Sequence, residues 1–112
     1  MNTIVARMVL FGQKPGENRF QIRVEIGTPY QCDCDGHEWA CPVALVSLYE
    51  KFPDIRGNDS LQALCLAVRF AQTPLEGFRE VGGVLMYEDG EEVPLETIFF
   101  RTPKARPAQR EG

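Results

Sequence analysis

The run "QCDCDGHEWAC", residues 31–41, holds three of the four cysteines and the only histidine of this 112-residue chain. Cys32, Cys34, His37 and Cys41 spell C-x-C-x2-H-x3-C, and thiolate and imidazole are the side chains that close a tetrahedral zinc site. The spacing points away from that chemistry. Structural zinc sites pair their ligands with two to four residues between them, so that both sulfurs aim inward, whereas one intervening residue in an extended segment sends neighbouring side chains to opposite faces. Only a tight loop around Asp33, Asp35 and Gly36 brings all four ligands together. Asp33, Asp35 and Glu38 attract a cation, yet the same charge opposes the thiolate that ligation needs.

Other chemistry is weaker. The Cys32–Cys34 pair can close a small redox ring, but no basic residue stands near it to lower a thiol pKa. His37 and Cys41, four apart, are the one local Cys/His pair, and such a pair in a surface loop is inert unless the fold aligns it. The chain has no glycine-rich phosphate loop, no G-x-S-x-G and no H-E-x-x-H. Glu88, Asp89, Glu91 and Glu92 flank Gly90, which reads as a solvated hairpin tip and as a candidate surface for a basic protein partner.

The elements that must position these residues follow from periodicity. Residues 3–11 and 20–26 read as two strands. Phe20, Ile22, Val24 and Ile26 share one face of the second, with Gln21, Arg23 and Glu25 on the other. Pro15-Gly16 turns the chain between them, giving an antiparallel hairpin in a sheet with one wet face. Residues 43–49, "VALVSLY", are apolar on both faces and read as a central third strand, with Pro42 at its first position. Trp39, Cys41, Val43 and Leu45 alternate onto one face, which makes Cys41 a small core residue and Trp39 a lid over it. Asp59 or Asn58 caps a helix, and Asp59 with Gln62 forms a capping-box pattern. Leu61, Leu64, Cys65 and Val68 form one stripe of that helix, but Ala63, Leu66, Ala67 and Phe70 fill most of the remaining circumference. Burial on more than one side is expected, by later segments or by a second chain. Thr73-Pro74 is expected to end or kink the helix. "GVLMYEDG" reads as a fourth strand and "TIFF" as a short final one.

These elements predict an α+β fold: an antiparallel sheet of about four to five strands with one main helix on one face. Residues 1–101 read as one domain and 102–112 as a disordered basic tail. Hydrophobic residues make up 44% of the chain and charged residues 25%, so a folded globule is expected. The net charge is −4. Residues 31–60 carry two basic and six acidic side chains, and residues 61–101 carry three and seven. Such a body repels phosphate backbones, which excludes nucleic acid as the expected partner. No apolar run reaches the roughly 20 residues of a membrane span, and the opening "MNTIVARMVLFGQ" lacks the pattern of a secretion signal. A cytoplasmic location with reduced thiols is therefore expected.

"EWACPV", residues 38–43, and "RGNDSLQALCLAV", residues 56–68, resemble a family of small uncharacterised bacterial proteins classed as a domain of unknown function. The shared pattern is Trp-x-Cys-Pro leading into a strand, then Gly-x-Asp-x-x-Gln-Ala-Leu opening an apolar helix. The resemblance implies the same sheet-plus-helix arrangement and structural roles for Trp39 and Cys41. Its pattern has no C-x-C and no histidine, and it carries over no activity and no functional residue.

The functional expectation is a non-enzymatic interaction module without a cofactor. Its acidic body would bind a basic protein partner, as an immunity protein or antitoxin does, or it would form a homodimer. The alternative is a small zinc-binding module built on Cys32, Cys34, His37 and Cys41. A third reading is an enzyme with a pocket on the open sheet face, for which no reaction is indicated.

Overall fold

The structure is a computed structural model that describes residues 3–32, 38–48 and 52–98. Strand β1 (Ile4–Gln13) and strand β2 (Phe20–Gly27) form the expected antiparallel hairpin. Its turn follows from Pro15 and Gly16: proline presets one central position, and Gly16 takes φ +78° at the next, where a Cβ would be strained. The Glu17 amide then donates to the Lys14 carbonyl at 3.0 Å.

Strand β3 (Tyr30–Gln31), β4 (Trp39–Cys41), β5 (Val43–Val46) and β6 (Ile55–Gly57) precede the main helix α1 (Ser60–Glu80). Strand β7 (Val84–Met86) and a short helix α2 (Leu95–Ile98) complete the order. Two antiparallel sheets result: four strands ordered β5-β2-β1-β7, and three ordered β3-β4-β6. The α+β class is as expected, but the second sheet is not legible in the periodicity. Its strands run two or three residues each, too short for alternation to show.

Strand β5 is an edge strand and not a central one. Val43 and Leu45 are buried against the core while Ala44 and Val46 are half-buried, and Ser47 at φ +81° ends the strand four residues in. Thr97 and Ile98, expected to open a final strand over residues 97–100, belong instead to helix α2, and residues 99–100 lie outside the described residues. Pro94 explains it: its carbonyl accepts from the amides of both Thr97 and Ile98, so the chain winds where the β-branched residues suggested extension.

Helix α1 does not end at Pro74 but continues through it, 21 residues in all. Proline withdraws the amide that would reach the Phe70 carbonyl, yet Leu75 and Phe78 continue the buried stripe beyond it. That stripe is Ala63, Ala67, Ala71, Leu75 and Phe78; of the stripe read from the sequence, Leu64 and Val68 are half-buried against the core, while Leu61 and Cys65 are exposed. Small side chains win the inner face because the helix approaches β6 so closely. A Cβ on Gly57 would stand 2.6 Å from the Ala63 amide nitrogen. The helix ends in a Schellman motif: Gly82, at φ +100°, donates to the Arg79 carbonyl, and Gly83 to that of Phe78. The core joins this helix to Leu10, Ile22, Leu45, Leu85, Val93 and Leu95, all fully buried.

Candidate functional site

The cysteine-bearing segment begins and ends on a narrow hairpin. Tyr30 pairs with Ala40 and Gln31 with Trp39, and the Cys32 amide donates to the Glu38 carbonyl at 2.8 Å. Residues 33–37, hence Cys34 and His37 of the candidate zinc set together with Asp33 and Asp35, lie outside the described residues. Cys32 is disulfide-bonded, so its sulfur is not the thiolate that zinc ligation requires. Cys41 carries a free thiol, fully buried in β4, which donates to the Gly27 carbonyl at 3.3 Å. Burial above all, and then the Asp54 carboxylate, pushes that thiol's pKa above its ordinary value. Trp39 is half-buried against the core beside it. Among the described residues, no three His, Cys, Asp or Glu side chains are placed to hold a metal ion.

Around this hairpin lies a small polar network that the sequence did not announce. The Tyr30 hydroxyl donates to Asp54, and Arg56 meets Glu38 at 2.8 Å. The bond to Asp54, helped by burial, raises the Tyr30 pKa, with Arg56 opposing. The residues are exposed, and the network ties β3, β4 and β6 together at the surface.

Asp59 is the N-cap of α1, accepting from the Gln62 amide at 2.7 Å, while the Gln62 side chain accepts from the Asn58 amide at 2.6 Å. The pair positions the helix start and reaches no pocket.

Glu88, Asp89, Glu91 and Glu92 do come together. They ring a tight turn in which the Tyr87 amide donates to the Glu91 carbonyl and the Gly90 amide to the Tyr87 carbonyl, with Gly90 at φ +92°. Asp89 accepts from the Glu91 amide, and Arg19, stacked 4.4 Å above the Phe11 ring, donates to the Glu88 carbonyl. All four acids are exposed, and none forms a salt bridge among the described residues.

Two further surfaces stand out, both partly anticipated by the sequence. On α1, Leu66 and Phe70, one turn apart, are 37% and 36% exposed, and Leu61, on a different flank of the helix, is 67% exposed. Phe52 meets Phe70 edge-on at 4.7 Å between ring centroids. Leu48, Phe52, Phe70, Pro74, Phe78 and Val81 line a shallow apolar groove there. The second surface is the sheet face away from α1, where Glu25 is only 8% exposed. Its Oε2 accepts from Nε of Arg7 at 3.1 Å and from Nε of Arg23 at 3.2 Å. Arg23 and Glu25 were visible on the wet face of their strand; placing Arg7 opposite Glu25 needs the hairpin register, which the sequence leaves open.

No helix among the described residues is long and apolar enough to cross a membrane. No curated protein and no solved structure matches this chain. A protein-family model described as "Domain of unknown function (DUF6968)" matches residues 6–95, a span that holds both hairpins, the capped helix and the acidic turn, and the chain belongs to that family.

Proposed function

We propose that this chain is a protein-interaction module whose partner covers the outer face of α1. The observation that carries the reading is the exposed apolar surface of Leu66 and Phe70, one helical turn apart, beside the groove lined by Leu48, Phe52, Pro74 and Val81, although the helix is already packed on its other side. Apolar surface that remains open on a folded chain is stabilised when a second protein removes it from water. The sign of the partner is set by the acidic turn. Glu88, Asp89, Glu91 and Glu92 present negative charge with no cation paired to it among the described residues, and the whole chain is at −4. A basic partner supplies the complementary field. An immunity-like or antitoxin-like escort of a basic protein fits both features.

The test is affinity capture from the native host with three baits: the natural chain, Leu66→Ser/Phe70→Ser, and Glu88→Gln/Asp89→Asn/Glu91→Gln/Glu92→Gln. A basic protein retained by the first bait and lost from both others supports the reading. Identical capture by all three sinks it.

A further inference from the structure

Strand β1 is covered on its second edge only at one end. Strand β7 pairs with Phe11, Gly12 and Gln13, so along Ile4–Leu10 nothing among the described residues hydrogen-bonds to that edge. From Ala6 to Leu10, past a register shift between Ile4 and Ala6, alternate residues direct their N–H and C=O groups away from β2, an arrangement that templates an added strand. Directly beside it, Ala6 and Met8 open into an apolar cleft of about 180 Å³ whose far wall is Val68, Ala71 and Ile98. On the opposite face of the same strand stands Arg7. Its Nε engages Glu25 while its two terminal nitrogens have no partner among the described residues, and Arg23 lies on the far side of the same carboxylate. That trio carries one net positive charge on an otherwise acidic chain.

We propose that the Ile4–Leu10 edge binds an extended peptide segment of another protein by strand addition, and that the segment alternates an apolar residue with an acidic one. Side chains of a strand alternate faces. An apolar residue of the added strand therefore drops into the Ala6–Met8 cleft, and its sequence neighbours fall beside Arg7, where a carboxylate accepts from the free guanidinium nitrogens. A second copy of this chain suits the edge less well. Antiparallel self-pairing brings two identical positive trios together, with the two Arg7 side chains facing each other when that residue sits at the dyad, and like charges across strands destabilise. This surface is separate from the α1 face, so the two readings stand or fall independently.

The probe is a fluorescein-labelled peptide alternating valine and glutamate, about seven residues long to match the open edge, with a valine–lysine peptide as its counterpart. Fluorescence anisotropy on the full chain is expected to show the glutamate peptide bound roughly tenfold or more tighter than the lysine peptide. Arg7→Glu/Arg23→Glu is expected to invert the preference. Ala6→Trp, which fills the cleft from an exposed position, is expected to weaken binding while the far-ultraviolet circular dichroism stays unchanged. Leu66→Ser/Phe70→Ser should leave peptide binding as it was. Absence of binding, or equal affinity for the two peptides, overturns the proposal. So does a dimer in light scattering that Ala6→Trp abolishes, because the edge would then belong to a second copy.

Discussion

The Cys41 thiol and the Gly27 carbonyl, brought to 3.3 Å, join β4 to the end of β2. This contact links the two sheets at the point where Pro42 leads from one to the other, and the Pro42 carbonyl returns the link by accepting from the Gly27 amide at 2.8 Å. It fixes how the cysteine should behave. Burial and Asp54 raise the folded-state thiol pKa, so the folded chain holds its proton more tightly than the unfolded one. The resulting stability is fully present below the unfolded thiol pKa and is lost as the pH rises from there through the folded value. Thermal melts taken above about pH 8.5 should therefore show stability falling with pH. Cys41→Ala should flatten that fall while lowering stability at neutral pH by about 1 kcal/mol. Tyr30 is raised as well and titrates nearby, so the comparison is made in a Tyr30→Phe background. An unchanged slope in the Cys41→Ala variant would contradict the assignment.

The same burial predicts a difference in reactivity between the two free thiols among the described residues. Cys65 is exposed and Cys41 is not. Alkylation of the native protein followed by mass mapping should label Cys65 promptly, and Cys41 only once denaturant is present. If the chain is an interaction module without a metal, chelator should leave the melting curve where it was. A melting temperature that falls by many degrees in chelator, with zinc near one equivalent by elemental analysis, would favour the zinc-binding alternative.

Asp59→Ala removes the acceptor of the Gln62 amide and should cost about 1 kcal/mol. Asp59→Asn should cost much less, because its oxygen can still accept. Gln62→Ala should cost less than Asp59→Ala. Denaturant midpoints of the single and double variants should reveal a non-additive remainder, since the two side chains secure one turn from opposite directions.

Gly83 lies under the Phe78 ring, and a Cβ there would stand 2.3 Å from Cε2. The same ring meets Phe20 edge-on at 5.8 Å between ring centroids, which restricts its room to yield. Gly83→Ala should destabilise the protein by about 2 kcal/mol through overpacking. Combining it with Phe78→Leu should cost less than the sum of the two single changes; simple addition would show that the ring can move aside.

How far the sequence carried the fold depended on element length. The hairpin of Ile4–Gln13 and Phe20–Gly27 was legible because eight alternating residues and a Pro-Gly turn agree. The N-cap at Asp59 was legible for the same reason, since acceptor and partner sit at fixed spacing. The inner face of α1 was only partly legible, because hydrophobicity ranks leucine over alanine, whereas at its first turn the close approach of Gly57 puts the small Ala63 innermost. The second sheet escaped because pairing of two- and three-residue strands is decided by tertiary context. As for candidate sites, the four acids of the 88–92 turn could be seen as a run. The Arg7–Glu25–Arg23 trio and the open edge beside it depend on strand register and strand order, which one sequence does not disclose.

Pro74 has a dynamic corollary. With no amide to clasp the Phe70 carbonyl, α1 has a seam between two segments, the first secured at Asp59 and the second by Phe78 and the glycine pair behind it. Breathing should begin at that seam, so deuterium uptake within the helix should be fastest around residues 70–74 and slower towards either anchor.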